Sequence, residues 1–230
     1  MRIALIPARG GSKRIPRKNI KPFCGQPIIG FSIQAALASG CFDRVIVSTD
    51  DNEIADVARK LGADVPFMRP AKLSDDYATT MDVIRHALEW YESRNEQVEA
   101  ICCLYATAPF VTGDDLCKGY DVFEDSKASF VFSAAAYAFP IQRAFYLGAE
   151  DSVNMFQAEH LTTRSQDLTE AYHDAGQFYW CRREAIANDE PIFGPQSRAV
   201  ILDRSRVQDI DTPEDWAFAQ ALYTLSQSSN

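Results

Sequence analysis

Residues 2–19 read RIALIPARGGSKRIPRKN, in which a short apolar run ends near a glycine pair and a basic loop follows. An apolar run of this length before glycines predicts a buried parallel strand over residues 2–8. The glycines let backbone amides approach an anion, while lysines and arginines neutralise its charge. The loop matches neither of the two common phosphate-binding patterns, because no helix begins directly after its glycines. The segment therefore predicts a first strand followed by a long phosphate-binding loop.

The basic residues of this loop contrast with the charge of the whole chain. Between Arg9 and Lys21 there are six basic residues and no acidic one, whereas the sequence carries a net charge of −9. This acidity argues against nucleic acid as a partner, because nucleic acid selects a basic face. One basic cluster beside a glycine pair favours a small bound polyanion. A solvated basic loop is the alternative that charge alone leaves open.

Strand-like and helix-like segments alternate along the rest of the chain. Strands are predicted over residues 44–50, 64–70, 100–110 and 129–139, and helices over residues 27–39, 52–61, 79–93, 114–126 and 211–227. QFYWCRREAIA at 177–187 is predicted to form a further strand followed by a helix. The alternation predicts a three-layer α/β fold, with a mostly parallel sheet between layers of helices. Ligands of such sheets bind beyond the carboxyl ends of the strands, so the loops after residues 8, 48 and 104 are expected to form a site.

Length and composition limit the class of protein further. The sequence of 230 residues suits one α/β domain, and an aromatic-rich, weakly periodic stretch at about 139–175 is predicted to leave it as a hairpin, a lid or a dimerisation arm. No apolar stretch reaches the roughly 18 residues that span a bilayer, and the N-terminus lacks a cleavage site. We therefore expect a cytoplasmic protein without a membrane partner. The six cysteines match no zinc spacing and are expected to be free thiols.

A second polar pattern, Asp209-Ile210-Asp211, precedes the last predicted helix. Two carboxylates one residue apart on an extended segment face the same way, and hard oxygen ligands of this kind suit Mg²⁺. The alternative is that Asp211 only caps the helix, whose predicted start is Asp211 or Thr212 with Pro213 in the first turn. Both roles remain open from the sequence.

Six blocks of the sequence resemble one known family in the family's own order. The family is that of the cytidylyltransferases that activate nine-carbon acidic sugars. The blocks are IPARGGSKRIPRKN at 6–19, FDRVIVSTDDNEIADVA at 42–58, RPAKLSDDYATT at 69–80, LYATAPF at 104–110, TTR at 162–164 and DIDTPEDW at 209–216. The resemblance implies a Rossmann-like nucleotidyltransferase fold, CTP and an acidic sugar as substrates, Mg²⁺ as cofactor, and a homodimer in which the excursion reaches the second copy.

The resemblance also implies roles for individual residues. Those expected to bind the nucleotide are Ala8, Arg9, Gly10, Gly11, Ser12, Lys13, Lys18, Asn19, Arg69 and Thr80, with the last two at the cytosine base. Those expected to bind the sugar are Tyr105, Thr107, Arg164, His173, Asp174 and Gln177, with Arg164 on its C1 carboxylate. Those expected to act in catalysis are Arg9, Lys13, Lys18, Asp209 and Asp211, with both aspartates on the metal.

Two segments depart from the members of the family that act on sialic acid. YHDAGQFYW at 172–180 stands where those members usually carry an arginine, proline, asparagine and glycine run, and YATAPF at 105–110 replaces QPTSPLR. These departures resemble the branch that acts on pseudaminic acid, which is the acceptor we predict. Sialic acid, legionaminic acid and shorter 3-deoxy sugar acids are the alternative acceptors that the sequence leaves open. A glycosyltransferase with a CMP-sugar donor stays open too, because an Asp-x-Asp pair on this fold also suits that class.

The resemblance implies an in-line reaction in which the C2 hydroxyl of the sugar attacks the α-phosphorus and releases pyrophosphate. Positioning and charge neutralisation carry most of the catalysis in such a reaction. The sequence offers no evident nucleophile, which agrees with a direct displacement. The proton acceptor is left open among water at the metal, Asp209, Asp211 and His173.

Overall fold

A six-stranded sheet forms the middle layer of the protein in a computed structural model, which describes residues 1–228. The strands are β1 (Arg2–Pro7), β2 (Pro22–Phe23), β3 (Gln26–Pro27), β4 (Arg44–Ser48), β5 (Ala100–Leu104), β6 (Phe130–Ala136), β7 (Phe145–Leu147), β8 (Val153–Met155), β9 (Tyr172–Arg182) and β10 (Ser197–Ile201). The helices are α1 (Ile29–Ser39), α2 (Asn52–Lys60), α3 (Thr80–Glu92), α4 (Gly113–Ser126), α5 (Arg183–Ala187) and α6 (Pro213–Ser228). The strand order of the sheet is β10-β6-β9-β5-β1-β4.

Strand β1 lies inside the sheet, as its apolar sequence predicts. It pairs in parallel with β4 on one side and with β5 on the other. Its side chains alternate between the two faces. Ala4 and Ile6 pack with residues of α1, α2 and α4, whereas Ile3 and Leu5 pack with residues of α3 and α5. The predicted three-layer α/β architecture is thereby confirmed.

Strand β9 departs from the parallel pattern. It runs antiparallel to both of its neighbours, with Leu104 of β5 opposite Phe178 and Phe130 of β6 opposite Cys181. The outer strand β10 is parallel to β6, so the sheet is mostly parallel, as predicted. The direction of β9 was not predicted, because a buried apolar run reads the same in a parallel and in an antiparallel strand.

Several element boundaries differ from the predicted ones. The helix predicted from residue 27 begins at Ile29, because Pro27 pairs with Pro22 in the short β2–β3 hairpin. Gly40 ends that helix in the left-handed conformation, at a φ of 66°, as glycine allows. The strand predicted at 64–70 is reduced to two isolated bridges beside β4, which start from Asp64 and Met68.

The chain leaves the sheet between β6 and β9, where an aromatic-rich excursion was predicted. This segment, residues 137–171, contains the β7–β8 hairpin and several short 3-10 turns. Its large apolar side chains that are exposed are Tyr137, Phe139, Ile141, Phe145, Tyr146, Leu147, Val153, Phe156 and Leu161. The last residues of the predicted range, from Tyr172 onward, belong to β9.

The cysteines fall into two groups. Cys41 and Cys117 form a disulfide that links the end of α1 to α4, so the expectation of free thiols is wrong for this pair. The packing of α1 against α4 brings them together from positions 76 residues apart, which spacing alone does not reveal. The free cysteines Cys102, Cys103 and Cys181 are buried, and Cys24 is exposed. No helix within residues 1–228 is long and apolar enough to cross a membrane.

Candidate active site

A cleft of about 550 Å³ opens beyond the carboxyl ends of β1 and β5, at the edge of the sheet where the sequence predicts a site. The loop after β1, the segment before α3 and the loop after β5 form its walls. Among its lining residues are Arg9, Ser12, Lys13, Arg14, Lys18, Asn19, Arg69, Asp76, Thr80, Tyr105, Thr107 and Asp211. Predicted site residues that lie far apart in the sequence therefore line the same cleft.

The start of the loop after β1 is held against the end of β4. The amide of Ala8 donates to the carbonyl of Ser48 at 2.9 Å, and the amide of Gly10 donates to Asp50 Oδ1 at 2.9 Å. A Cβ on Gly10 would lie 2.8 Å from Asp51 Oδ2, so this close approach requires glycine. The amides of Ala8 and Gly10 thus have protein partners. The space around the two glycines differs: Gly10 is crowded by Asp51, whereas a Cβ on Gly11 would have no atom within 4 Å.

Two cations of the loop share one carboxylate. Lys13 Nζ lies 2.5 Å from Asp76 Oδ2, and Arg9 Nη1 lies 2.9 Å from Asp76 Oδ1. Arg9 also donates to the carbonyl of Asp75 at 2.7 Å. The hydrogen bond and charge of Lys13, followed by those of Arg9, hold the pKa of Asp76 below its usual range. Asp76 was not predicted, because its partners lie more than sixty positions earlier in the sequence.

Two other cations of the loop reach the Asp209-Ile210-Asp211 segment. Lys18 Nζ donates to the carbonyl of Ile210 at 2.7 Å and to Asp211 Oδ1 at 3.3 Å. Arg14 Nη2 lies 2.8 Å from Asp211 Oδ2. The cap of α6 is Thr212, whose hydroxyl accepts from the amide of Asp215. In the structure the side chain of Asp211 therefore faces the loop rather than capping the helix.

Asp211 lines the cleft, whereas Asp209, two positions earlier, is not among the residues that line it. Carboxylate oxygens such as theirs are ligands of the kind that Mg²⁺ takes. Burial, and then the charge of Asp211, raise the pKa of Asp209, as expected where carboxylates crowd together. No cluster of three His, Cys, Asp or Glu side chains within residues 1–228 could hold a metal. An ion here would take its remaining ligands from water and phosphate oxygens, which is the usual arrangement of Mg²⁺ with nucleotides.

Arg17 has a structural role in the loop. Its guanidinium contacts Asp51 at 2.5 and 2.9 Å and Glu53 at 2.5 Å, on the first turn of α2. The hydrogen bonds from Arg17 outweigh the effect of burial and lower the pKa of Asp51 to about 2. Asp51 also caps α2 by accepting from the amide of Ile54 at 3.0 Å. This ion pair fixes the far side of the loop to the helix.

The residues expected at the cytosine base lie on the opposite wall of the cleft. Arg69 is buried, and its Nε donates to Ser74 Oγ at 3.2 Å. Burial lowers the pKa of Arg69, and the nearby charge of Asp50 opposes that shift. Thr80, the first residue of α3, has its Oγ1 3.0 Å from the hydroxyl of Tyr105. The hydroxyl contact therefore joins the wall that carries Arg69 and Thr80 to Tyr105, the first residue after β5.

Two phenols connect the cleft to β9. The rings of Tyr105 and Tyr179 lie 5.5 Å apart between centroids, and the hydroxyl of Tyr179 donates to Asp174 Oδ2 at 2.5 Å. Burial, then the neighbouring Tyr105, raise the pKa of Tyr179 well above its usual range. Tyr179 was not predicted as a site residue, since its position in an apolar strand indicates a core residue. A polar path thus runs from Thr80 to Asp174 through the two tyrosines.

The other residues expected at the sugar lie away from this cleft. Gln177 is 3% exposed, and its Nε2 donates to the carbonyl of Arg206 at 2.6 Å. His173 lines a separate surface depression beside Tyr137. Arg164 lies on the excursion, where its Nε donates to Asp167 at 2.7 Å. Of the six residues expected at the sugar, the structure brings Tyr105 and Thr107 into the cleft lining.

A glycine- and lysine-bearing loop at a strand end, facing a pair of aspartates, defines a nucleotide-binding site of the nucleotidyltransferase type. The family model described as cytidylyltransferase matches residues 3–217, and the chain belongs to this family. The resemblance of the six sequence blocks is thereby confirmed.

Individual relatives cover nearly the full chain. The chain is 49% identical over 227 residues to a pseudaminic acid cytidylyltransferase of Campylobacter jejuni subsp. jejuni serotype O:2, covering 99% of this chain and 98% of the relative. It is 29% identical over 234 residues to a CMP-N,N'-diacetyllegionaminic acid synthase of Legionella pneumophila subsp. pneumophila, covering 99% and 98%.

The fold also resembles that of a solved enzyme. A structure of CMP:2-keto-3-deoxy-manno-octonic acid synthetase complexed with CTP has a TM-score of 0.71 at 17% identity, covering 98% of this chain and 99% of that one. At this identity the likeness concerns the fold alone. It agrees with the predicted Rossmann-like nucleotidyltransferase fold, which is confirmed.

Proposed function

We propose that the protein transfers a cytidylyl group from CTP to pseudaminic acid, giving CMP-pseudaminic acid and pyrophosphate, in the cytoplasm. Membership of the cytidylyltransferase family supports the donor. The 49% identity to a pseudaminic acid cytidylyltransferase supports the acceptor. The observation that carries the proposal is the meeting, in one cleft, of the loop after β1 with the Asp209–Asp211 segment, which Lys18 joins.

The reaction is a direct displacement at phosphorus. The C2 oxygen of the sugar bonds to the α-phosphorus, the bond from that phosphorus to the pyrophosphate oxygen breaks, and the hydroxyl proton passes to solvent water. Arg9 and Lys13 hold the triphosphate in place of Asp76, and Lys18 is held towards it by Ile210 and Asp211. When bound, Mg²⁺ neutralises phosphate charge beside Asp209 and Asp211. Positioned cations of this kind stabilise the charge that develops on the leaving group.

The two walls of the cleft divide the remaining substrate contacts. Arg69 and Thr80 are proposed to contact the cytosine base. Tyr105 and Thr107 are proposed to face the sugar from the loop after β5, with Asp174 orienting Tyr105 through Tyr179.

The test is a comparison of acceptors. The protein is incubated with CTP, Mg²⁺ and, in turn, pseudaminic, legionaminic, N-acetylneuraminic and 2-keto-3-deoxy-octonic acid, and pyrophosphate release is measured. We expect a kcat/KM for pseudaminic acid at least about 100-fold above that of the others, since a pocket discriminates between substrates that differ in one small group by about this factor. A preference for another acid would replace the proposed acceptor. Cleavage of a CMP-sugar without pyrophosphate release from CTP would instead support a glycosyltransferase.

We further propose that the protein is a homodimer joined through residues 137–171. The exposed aromatic side chains of this segment support it, since Phe139 is 82% exposed and Phe145, Tyr146 and Phe156 are at least half exposed. Monomeric proteins rarely leave so much apolar surface in contact with water. Sedimentation velocity is expected to give twice the chain mass for the wild type. A Phe145→Glu, Phe156→Glu variant is expected to be monomeric, and an unchanged mass would contradict this interface.

A further inference from the structure

The segment that carries Asp209 and Asp211 has little regular structure of its own. It connects the end of β10, at Ile201, to the start of α6, at Pro213, and contains a single 3-10 turn over Arg204–Arg206. Connections of this length are mobile unless other groups hold them. Ile210, between the two aspartates, is buried in one cluster with Phe23 and Trp216, and its carbonyl accepts from Lys18, so this point of the segment is fixed. The path of the chain into this point depends on the contacts made around Arg206.

Arg206 makes the strongest of these contacts. Its Nη1 and Nη2 donate to the two carboxylate oxygens of Asp115 on α4, each at 2.8 Å. This paired geometry is the most directional ion pair that proteins form. The Asp115 side chain is 11% exposed and also accepts from the amide and the hydroxyl of Thr112, in the capping box of α4. Arg206 is thus bound to a carboxylate that a helix start already fixes.

The charges of this pair support its strength. Burial acts to raise the pKa of Asp115, but the hydrogen bonds from Arg206 and Thr112 outweigh it and leave the pKa below its usual range. The hydrogen bonds from Arg206 to Asp115 raise the pKa of the guanidinium. Both groups therefore stay charged at neutral pH.

Gln177 holds the backbone of the same residue from the centre of the sheet. Its side-chain Nε2 donates to the main-chain carbonyl of Arg206 at 2.6 Å, while the main-chain carbonyl of Gln177 accepts from the amide of Tyr105 at 2.9 Å. Gln177 thus links Arg206 to the residue that lines the cleft after β5. This contact also gives the buried amide of Gln177 a function other than direct sugar binding.

Resting on the proposed function, we propose that Arg206 is a positioning residue for the metal and the triphosphate. Asp115 fixes its guanidinium and Gln177 fixes its carbonyl, and the aspartates follow three and five residues later. Through them the clamp, defined as Arg206, Asp115 and Gln177, sets where Asp209 and Asp211 lie against Lys18. Removal of the clamp leaves both carboxylates present, with the contacts of Lys18 and Arg14 as the remaining ties of this segment to the loop, so we expect the two aspartates to be held less rigidly.

The experiment measures binding of Mn²⁺, as a probe for Mg²⁺, from the electron paramagnetic resonance signal of the free ion, without and with CTP. We expect Arg206→Ala and Asp115→Asn each to weaken Mn²⁺ binding about tenfold or more, as loss of groups that orient metal ligands does. The double variant is expected to be no more than about twofold weaker than the worse single variant, because both changes remove one interaction. The Mg²⁺ concentration for half-maximal pyrophosphate release should rise in parallel.

The matched control is Arg183→Ala. Arg183 pairs with Glu92 at 2.6 Å between α5 and α3, beside the N-terminus of β1 and so at the opposite edge of the sheet from the cleft. This variant loses the same charge and a comparable ion pair, and we expect Mn²⁺ binding within about twofold of wild type. Arg206→Lys tests geometry, because lysine keeps the charge but cannot form the paired contact. We expect it to bind Mn²⁺ more weakly than wild type.

Each outcome decides the inference. If Arg206→Ala does not fold, Asp115→Asn replaces it, since asparagine keeps the shape and the cap at Thr112. Mn²⁺ binding within about twofold of wild type in a folded clamp variant would show the clamp to be structural only. A wild-type protein that binds no Mn²⁺ would overturn the inference as well. A protein that binds Mn²⁺ with the expected losses but forms no pyrophosphate would contradict only the proposed function.

Discussion

Lys13 and Asp76 face each other in the cleft, with Nζ 2.5 Å from Oδ2. Arg9 reaches the same carboxylate at 2.9 Å. These are the two cations proposed to grip the triphosphate, and without a ligand they hold a negative charge supplied by the chain itself. We expect a bound triphosphate to compete with Asp76 for Arg9 and Lys13, because both anions draw on the same two cations. Asp76 would then act as an internal competitor of CTP.

Asp76→Asn is expected to strengthen CTP binding. Without its charge the side chain competes less well for Arg9 and Lys13, so we expect the KM for CTP to fall about threefold or more. Steady-state kinetics at saturating sugar and Mg²⁺ measure this. The control is Asp56→Asn, which removes an exposed pair with Arg59 on α2 and should leave the KM unchanged. A higher KM in Asp76→Asn would show that the carboxylate helps to bind substrate.

Lys13→Ala is expected to lower turnover about 100- to 1000-fold, because one positioned donor to developing charge is typically worth that much. The Lys13 side chain is 79% exposed, so the thermal midpoint should hardly change. Lys127→Ala is the matched control, since Lys127 is comparably exposed and pairs with Glu124 on α4. Pyrophosphate release and thermal unfolding are measured for both variants. Wild-type turnover in Lys13→Ala would contradict the assignment of the phosphate loop.

Asp211→Asn and Asp215→Asn separate the chemistry of this segment from its structure. Asp211 contacts Lys18 and Arg14, whereas the carboxylate of Asp215 accepts a hydrogen bond from the amide of Thr212 in the capping box of α6. We expect Asp211→Asn to lose most of the activity and keep its thermal midpoint. Asp215→Asn should keep the activity and melt at a slightly lower temperature. The reverse pattern would assign Asp211 to the helix cap after all.

The pair of Arg17 and Asp51 predicts how stability depends on pH. The pKa of Asp51 is about 2 in the folded protein, below its value of 3.8 in the unfolded chain. A lowered folded pKa contributes stability that is present above pH 3.8 and is lost as the pH falls towards 2. We expect Asp51→Asn, which retains the cap on α2, to lower the free energy of unfolding by about 1 kcal/mol at pH 7, because the pair is partly exposed.

Urea unfolding at several pH values checks this prediction. The difference between the wild type and Asp51→Asn should shrink as the pH falls below 4. A difference that stays constant down to pH 3 would show that the effect does not arise from the charge of Asp51.

The sequence predicted the parts of the fold and site that local patterns encode. The apolar run at residues 2–7 indicated β1 because a central strand is buried on both faces. The glycines and lysines that follow indicated a phosphate loop because their backbone freedom and charge are local properties. The Asp209–Asp211 pair was found for the same reason, since its two carboxylates are neighbours in the chain.

The features that escaped prediction depend on contacts between distant segments. Nothing in the run around Phe178 distinguishes an antiparallel strand from a parallel one. The pairing of Asp76 with Lys13, and of Arg206 with Asp115, arises only when the fold brings separate loops together. Gln177 was expected at the sugar because the family resemblance implies sugar contacts for the YHDAGQFYW segment, yet its side chain is buried and donates to the carbonyl of Arg206. Side-chain direction at such a position depends on register, which short patterns do not give.

The place of β9 has a consequence for how the protein is made. The strands β4, β1 and β5 form one parallel ribbon, and β6 and β10 form another, and β9 alone joins them. A nascent chain that ends after β6 lacks both β9 and β10, so one side of β5 and both sides of β6 are borders with unpaired backbone groups. Such borders invite pairing with other chains until they are covered. Premature termination before Tyr172 is accordingly expected to yield fragments that aggregate. A complete β9 prevents this because it pairs with β5 on one side and with β6 on the other.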